Sequence, residues 1–375
     1  MIEAVDQKTE RPPGDPGTEH GFGPAPAPGT ARYPQATGYD LLAAEPTTPL
    51  AIETDEHLRA LQRSREVKHL PRPDQTRVMV VANQKGGVGK TTSTVNVAAA
   101  LAQHGLRVLV IDLDPQGNAS TALRIDHTEG TPGTYDALVD GQPMRSLVQP
   151  CPDVDNLLVV PATIDLAGAE IELVSLVARE SRLRRAITEY LEQEADEAGR
   201  MDYILIDCPP SLGLLTVNAL VAGREMLIPI QCEYYALEGL GQLLRNVELI
   251  QSHLNPELVI STIMLTMHDA RTRLSAGVAD EVRAHFGDKV LNTAVPRSVR
   301  ISEAPSYQQT VMTYDPTSPG ALSYLEAARE LATRLATTDD STAVASAPDA
   351  AGGSHAIPAA GPGAGVEPNP TRGDD

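Results

Sequence analysis

Several common features are scarce or absent in this 375-residue sequence, which has no tryptophan, two phenylalanines and three cysteines. Cys151, Cys208 and Cys232 lie far apart and match neither a zinc-binding spacing nor a disulfide framework. No run of 18 apolar residues is present, and the start, MIEAVDQKTE, lacks the basic and apolar stretches of a secretory signal. We therefore expect a cytoplasmic protein that does not act on a membrane.

Positive charge is also scarce, since the formal net charge is −20 at pH 7. The two ends do not account for all of it, because residues 76–335 alone keep an excess of 11 acids over bases. A basic field over the whole surface, which many nucleic-acid-binding proteins have, is thus excluded. Any DNA binding has to come from a local patch.

Proline and glycine are concentrated at the two ends of the chain. Residues 1–75 include PPGDPGTEHGFGPAPAPGT, and residues 336–375 include ASAPDAAGGSHAIPAAGPGAGVEPNP. Such segments have too few large apolar side chains to offset the entropy lost on ordering. We predict a disordered N-terminal extension over 1–75, one compact domain over 76–335, and a disordered acidic tail over 336–375.

Between the two ends, short apolar runs alternate with helical patterns. The runs, rich in β-branched residues, are RVMVVANQ, RVLVIDLD, NLLVVPA, DYILIDCP, EMLIPIQ, LVISTIML and KVLNTAV. Runs of this kind are typical of strands that are buried on both faces. The helical patterns cover residues 91–104, 165–197 (as two helices), 212–222, 236–253 and 274–286. The alternation predicts an α/β fold with a doubly wound, mostly parallel sheet, which binds ligands at the carboxyl ends of its strands.

The stretch NQKGGVGKTTSTVN, residues 83–96, resembles a phosphate-binding loop between the first strand and the first helix. In the ordinary loop, G-x-x-x-x-G-K-[ST], backbone amides surround the phosphates and the lysine reaches the β/γ oxygens. Lys90 fits the lysine, and the Thr91 hydroxyl suits Mg²⁺. Gln84 replaces the first glycine, and a second lysine, Lys85, follows it. The predicted phosphate-binding residues are Gly86, Gly87, Val88, Gly89, Lys90, Thr91 and Thr92.

Acidic residues end two of the later predicted strands. Asp112 and Asp114, in VLVIDLDPQGNAST, lie two residues apart and so point the same way along an extended strand. Two such carboxylates suit contacts with metal-bound water and the positioning of an attacking water. In YILIDCPPSLG, four apolar residues lead into Asp207, a pattern typical of the acid that holds Mg²⁺ in phosphoryl-transfer sites.

Together these motifs resemble the ParA/Soj chromosome-partitioning ATPases. The resemblance covers residues 76–335 in colinear order, through KGGVGKTT, VIDLDPQGNAST, VPATIDLAGAEIEL, YILIDCPPSLGLLTVNAL, IPIQCEYYALEGL, DARTRLSAGVADEVRAHFG and VPRSVRISEAPSYQQ. It implies a P-loop ATPase of the deviant Walker A type that binds ATP and Mg²⁺. In that family two ATP-bound subunits face each other, so Lys85 would reach the phosphates of the other subunit.

The resemblance also implies roles for single residues. Asp114 would orient the hydrolytic water, Asp112 would belong to the Mg²⁺ environment, and Asp207 would take the Walker B role. Pro296 and Arg297 would lie in the segment that lines the adenine, and Lys85 would join the nucleotide-binding residues. The implied catalytic residues are Lys85, Lys90 and Asp114. The implied metal ligands are Thr91, Asp112 and Asp207.

A relative excess of positive charge occurs over residues 266–300, where six bases stand against four acids. A dimer would present this patch twice. Arginine contacts to phosphates give sequence-independent, salt-sensitive binding. The resemblance implies that the ligand is chromosomal DNA, bound without sequence specificity. The predicted DNA-binding residues are Arg271, Arg273, Arg297 and Arg300.

The partners follow from the same resemblance. It implies a homodimer on ATP binding, association with the nucleoid, and hydrolysis stimulated by a ParB-type centromere-binding protein. The two tails exceed the minimal family domain and are candidate contacts for a polar or cytoskeletal scaffold.

Three alternative functions stay open at this stage. A MinD-like positioning ATPase, acting on a membrane or polar scaffold, shares the loop but needs a C-terminal amphipathic anchor, whereas this chain ends AGVEPNPTRGDD. A nitrogenase-type reductase needs two placed cysteines per subunit, and Cys208 and Cys232 have the wrong contexts. A non-enzymatic scaffold, in which the nucleotide only sets assembly, is distinguished by its lack of turnover.

Overall fold

The computed structural model describes residues 69–194, 199–233 and 236–334. These residues contain one eight-stranded sheet with the order β3-β4-β2-β5-β1-β6-β7-β8. The strands are β1 (Arg77–Val81), β2 (Val108–Asp112), β3 (Gln149–Pro150), β4 (Leu157–Val160), β5 (Tyr203–Asp207), β6 (Glu225–Gln231), β7 (Val259–His268) and β8 (Val290–Pro296). Every neighbouring pair is parallel except β3 with β4. The predicted mostly parallel α/β sheet is confirmed.

Helices cover both faces of the sheet. They are α1 (Lys90–Gln103), α2 (Asn118–Ala122), α3 (Leu166–Glu172), α4 (Arg182–Gln193), α5 (Leu214–Ala222), α6 (Ala236–His253), α7 (Arg273–Phe286), α8 (Val299–Glu303), α9 (Val311–Tyr314) and α10 (Pro319–Thr333). The two helices predicted within 165–197 are α3 and α4, separated by 3₁₀ turns. Five elements were not predicted from the sequence. They are the two-residue strand β3, the short helices α2, α8 and α9, and the helix α10, which packs against α1 and β8.

The central strands are buried on both faces because their side chains alternate between two hydrophobic clusters. In β1, Val78 and Val80 join one cluster, and Met79 and Val81 join the other. The first cluster contains residues of α4, α5, α6 and α7, and the second contains residues of α1 and α10. This two-sided burial is why the strands read as continuous apolar runs rather than as alternating ones.

The described chain begins seven residues before the predicted start of the domain. Leu70 is buried and donates its N–H to His104 O at 3.3 Å, while Arg72 Nε lies 2.8 Å from Asp202 Oδ1. The predicted disorder of residues 1–68 and 336–375 lies outside the described residues. Within the described part, no helix combines the length and the apolar character needed to cross a bilayer.

Candidate active site

The loop after β1 is fixed to neighbouring strands at both of its ends. The buried Asn83 side chain donates from Nδ2 to Pro229 O of β6 at 2.8 Å and accepts the Lys85 N–H at 3.1 Å. Further along, the Val88 carbonyl accepts a hydrogen bond of 2.8 Å from Thr266 Oγ1 of β7. These hydrogen bonds attach the loop to β6 and β7.

Three glycines shape the loop into a cradle for an anion. Gly87 and Gly89 have φ angles of 75° and 87°, in the left-handed region that favours glycine. A side chain added at Gly86 or Gly87 would meet no atom within 4 Å, so this backbone borders open space. Gly89 precedes the first residue of α1, whose N-terminal N–H groups and dipole favour a phosphate.

Lys90, the first residue of α1, is only 7% exposed. Burial lowers its pKa, while the nearby carboxylates of Asp207 and Asp114 act in the opposite direction. Its ammonium is thus a desolvated cation at the start of a helix, where it would interact more strongly with a phosphate than an exposed lysine would.

The strand register places two acids side by side at the carboxyl edge of the sheet. Asp207 of β5 pairs with Asp112 of β2 on one side and with Val81 of β1 on the other. Both carboxyl groups are fully buried, and burial raises the pKa of each. The charge of Asp112 raises the pKa of Asp207 further. Two adjacent buried carboxyls are an arrangement that a bound metal ion would stabilise.

Asp207 retains one oxygen for such an ion. Its Oδ1 accepts a hydrogen bond from Thr94 Oγ1 at 2.9 Å, and the nearby Thr91 and Thr94 hydroxyls partly lower its pKa. Its Oδ2 is buried and has no hydrogen-bond partner among the described residues. No group of three or more His, Cys, Asp or Glu side chains in this part of the chain converges on a metal position. The available oxygen of Asp207 and the nearby Thr91 hydroxyl fit Mg²⁺, which uses one or two carboxylates together with substrate phosphates and water.

Asp112 is engaged by donors of its own chain. Its Oδ2 accepts from Ser120 N at 2.9 Å and from Ser120 Oγ at 2.7 Å, and its Oδ1 accepts the Asp114 N–H at 3.2 Å. Asp114 is 8% exposed, and its Oδ1 accepts the Gln116 N–H at 3.0 Å. Asp112 thus holds the turn that carries Asp114, and Asp114 is the less deeply buried member of the pair.

Several residues of this network were not predicted from the sequence. Ser120 Oγ also accepts the Ala162 N–H at 3.2 Å, and Thr134 Oγ1 donates to Asp112 O at 2.7 Å. These bonds connect the Asp114 turn to the segment after β4. Ser120 lies inside the quoted VLVIDLDPQGNAST motif, so its hydroxyl was a visible signal. Thr134 has no comparable local signal, because only the fold brings it to Asp112.

Lys85 projects from the loop to the surface, where it is 34% exposed. Its Nζ lies 3.6 Å from Glu233 Oε2, and Glu233 Oε1 lies 3.4 Å from Arg297 Nη2. Lys85 therefore sits on the outer side of the site, paired within its own subunit.

Pro296 and Arg297 come at the carboxyl end of β8, on the same edge of the sheet as the loop. The Arg297 N–H donates to His268 O at 3.1 Å, which fixes the backbone where β8 ends. Because β8 is three strand positions from β1, this segment is roughly 14 Å from the loop. That separation suits contacts with different parts of one nucleotide.

The predicted DNA-binding arginines differ in their surroundings. Arg271 is 88% exposed but forms two hydrogen bonds of 2.9 Å with Asp269, which lower the pKa of Asp269 to about 2. Arg300 lies 3.2 Å from Glu303 and 3.4 Å from Asp315. Arg273, exposed at the start of α7, forms no ion pair with any other described residue.

Comparisons with known proteins agree with this architecture. The family model described as "AAA domain" matches residues 76–260. The chain is 53% identical over 256 residues to the sporulation initiation inhibitor protein Soj of Bacillus subtilis, covering 68% of this chain and 98% of that protein. It is 49% identical over 259 residues to the chromosome partitioning protein ParA of Caulobacter vibrioides, covering 69% and 94%.

A solved structure is similar over nearly its whole length. Cobyrinic acid a,c-diamide synthase from Mycobacterium smegmatis, with bound ADP and magnesium, is 35% identical, has a TM-score of 0.59, and is matched over 70% of this chain and 96% of its own. The two curated relatives are more similar in sequence, and the second is named a chromosome partitioning protein. A further relative, from Treponema pallidum, is 46% identical over 258 residues and is named chromosome-partitioning ATPase Soj. The sequence resemblance is thereby confirmed, and the chain belongs to the ParA/Soj family of chromosome-partitioning ATPases.

Proposed function

We propose that this chain hydrolyses ATP with Mg²⁺ and that its ATP-bound homodimer binds DNA nonspecifically to move chromosomal cargo carried by a ParB-type protein. The observation that carries the proposal is the buried Oδ2 of Asp207, which has no partner among the described residues and lies beside Thr91 and Lys90 at the end of β5. A similar protein has been solved with ADP and magnesium, which supports the same ligand pair here.

The loop residues would bind the nucleotide. The amides of Gly86 to Thr92 would surround the phosphates, Lys90 would neutralise their charge, and Pro296 and Arg297 would contact the base. Thr91 and Asp207 would hold Mg²⁺, with Asp112 supporting them from the neighbouring strand. The bound metal ion supplies charge neutralisation to the phosphoryl group that is transferred.

Asp114 would position the attacking water. Its carboxylate is largely buried and is oriented by the Gln116 N–H, and the hydrogen bonds of Asp112 hold the turn beneath it. A fixed acceptor of this kind orients a water for in-line attack and takes up its proton, while the bond from the γ-phosphorus to the bridging oxygen breaks and ADP leaves. Because Asp114 adds little to nucleotide binding, its removal should affect turnover more than affinity.

Lys85 would complete the site of the facing subunit. Its ammonium lies at the surface of its own subunit, as a group that acts across an interface requires. A cation brought to the transferring phosphoryl group stabilises charge that grows in the transition state. Hydrolysis would therefore require the closed dimer. The rate of hydrolysis would then set the lifetime of that dimer.

The closed dimer would bind DNA through the arginines of the two patches. A ParB-type protein would then stimulate hydrolysis, after which the dimer opens and its DNA affinity falls. This cycle places the protein on the nucleoid. The tails, residues 1–75 and 336–375, are the proposed contacts for a polar or cytoskeletal scaffold.

The test is an ATPase assay in which DNA and the ParB-type protein encoded in the same genome are each omitted in turn. We expect slow turnover alone and the highest rate only with both present. Full turnover without either component would contradict the proposed cycle, and no turnover under any condition would favour a scaffold in which the nucleotide only sets assembly.

A further inference from the structure

The carboxylate of Glu233 lies between two basic side chains that have separate roles in the proposed function. Its Oε2 is 3.6 Å from Lys85 Nζ, and its Oε1 is 3.4 Å from Arg297 Nη2. Gln231 Nε2 also donates to Oε1. Glu233 lies two residues after the end of β6, so one side chain at the carboxyl edge of the sheet holds both cations.

Lys85 is attached to the end of β6 at two points. Its backbone N–H bonds to Asn83 Oδ1, and Asn83 bonds in turn to Pro229 of β6. Its ammonium is attached only through Glu233 among the described residues. The Lys85 side chain is one-third exposed, and Glu233 is the charged group that contacts its ammonium. The Glu233 carboxylate therefore determines where the ammonium lies in the separated subunit.

We propose that Glu233 is a positioning residue that retains Lys85 on its own subunit until ATP-dependent closure moves the ammonium to the phosphates of the facing subunit. This inference rests on the proposed function, in which Lys85 acts across the interface. Arg297 makes the exchange reversible, because Glu233 stays paired with Arg297 after Lys85 has left. No carboxylate is then stranded without a partner at the interface.

The expected effect is modest, since both partners are partly exposed and solvent screens them. Pairs of this kind change an equilibrium by roughly 1.5- to fivefold. Such a contact adjusts how readily ATP closes the dimer without preventing closure. A fully buried pair would instead hold Lys85 too tightly for a cycle that repeats.

The first test measures the Lys85 ammonium directly, in nucleotide-free protein. Wild type and Glu233→Gln react with an amine-reactive ester, and labelling of each lysine is followed by mass spectrometry. We expect labelling of Lys85 to become roughly 1.5- to fivefold faster in Glu233→Gln, while the exposed Lys289 serves as the internal reference.

A matched control removes the same charge elsewhere. Glu257→Gln breaks an exposed ion pair with Arg224, 3.4 Å away, near the opposite edge of the sheet. It should leave the labelling of Lys85 unchanged. If Lys85 labels equally fast in wild type and Glu233→Gln, Glu233 does not retain it and the inference is wrong.

The second test measures ATP-dependent dimerisation by sedimentation. We expect Glu233→Gln to dimerise at a roughly 1.5- to fivefold lower concentration than wild type, and the difference to vanish at high ionic strength, which screens the ion pair in wild type. If wild type dimerises with ATP and Glu233→Gln dimerises no better, the retention by Glu233 is overturned and the proposed function stands. If wild type itself forms no ATP-dependent dimer, the proposed function fails, and the inference fails with it.

Discussion

The carboxyl edge of the sheet and the arginine-bearing surface balance their charges in opposite ways. At the edge, Asp112 and Asp207 are buried beside each other, and one Asp207 oxygen has no partner among the described residues. On the surface, Arg271, Arg297 and Arg300 each have a carboxylate within 3.4 Å. The edge is therefore incomplete without a cation and a polyanion, whereas the surface has already neutralised most of its cations internally.

This difference indicates where ligand affinity comes from in each region. Desolvated groups that lack a partner gain much from a ligand, because burial weakens the competition from water. Exposed arginines that are already paired must exchange one anion for another, and they gain little at physiological salt. Nucleotide binding should thus depend strongly on single residues, and DNA binding should be spread thinly over several.

The largest expected effect is on the rate of ATP hydrolysis. It tests whether the carboxyl edge of the sheet carries out that reaction. Asp114→Ala should reduce ATP hydrolysis about 10²- to 10⁴-fold, since it removes the acceptor that orients the water. ATP-bound dimers should persist, and sedimentation with ATP should detect them. A variant that stays monomeric with ATP would show that Asp114 serves assembly rather than hydrolysis.

The next effect concerns nucleotide affinity and separates the two lysines of the loop. Lys90→Ala should weaken binding of a fluorescent ATP analogue roughly 30-fold or more, because a buried charge partner is lost. Lys85→Ala is the matched variant on the same loop, and it should still bind the nucleotide in the monomer but fail to dimerise or hydrolyse. Wild-type turnover in Lys85→Ala would refute action across the interface. Circular dichroism checks that Lys90→Ala is folded.

A third prediction tests whether the buried carboxyl groups of Asp112 and Asp207 make the stability of the protein depend on pH. Burial, together with the charge of Asp112, raises the pKa of Asp207 to about 8, so near neutral pH the folded protein binds a proton that the unfolded chain has released. Stability without nucleotide should therefore fall as pH rises from about 4 to 8. Asp207→Asn should raise the thermal midpoint at pH 8 by at least about 2–4 °C, corresponding to about 1 kcal/mol, and change it little at pH 5.

The control for this prediction is Asp155→Asn, which changes the same charge at an exposed position. Its midpoint should match wild type at both pH values. Asp207→Asn should also lose the Mg²⁺ dependence of nucleotide binding, since the free carboxylate oxygen is gone. A midpoint at pH 8 that is unchanged or lower in Asp207→Asn would show that the buried pair does not destabilise the protein in the absence of nucleotide and Mg²⁺.

Much of the edge could be predicted because its geometry follows from short-range patterns. Seven apolar runs identified the strands, and parallel strands bring their carboxyl ends to one edge, so Asp112, Asp207 and the loop had to lie near one another. The missed helix α10 also had local signals. Ser318 caps it by accepting the Ala321 N–H at 3.3 Å, and Pro319 occupies its first turn.

The pairing of the arginines could be predicted only in part. Asp269 lies two residues from Arg271, so that ion pair was visible in the sequence. The partners Glu233 of Arg297 and Asp315 of Arg300 are brought there by the fold, at 64 and 15 residues' distance along the chain. A count of charges over residues 266–300 could not reveal that these cations are neutralised from outside the segment.

The smallest expected effect distinguishes two neighbouring arginines of the surface. Arg273 has no ion pair within the described residues, whereas Arg271 is held by two hydrogen bonds to Asp269. Arg273→Glu should lower the slope of log affinity against log salt by roughly 1 for each phosphate contact it removes, equally for unrelated DNA sequences. Arg271→Glu should lower it by less, because Asp269 already competes for that guanidinium. Asp269→Asn should release Arg271 and strengthen DNA binding. If Arg271→Glu and Arg273→Glu reduce the slope equally, the ion pair with Asp269 does not limit DNA contact. The claim that internal ion pairs weaken the contribution of the surface arginines to DNA binding would then be wrong.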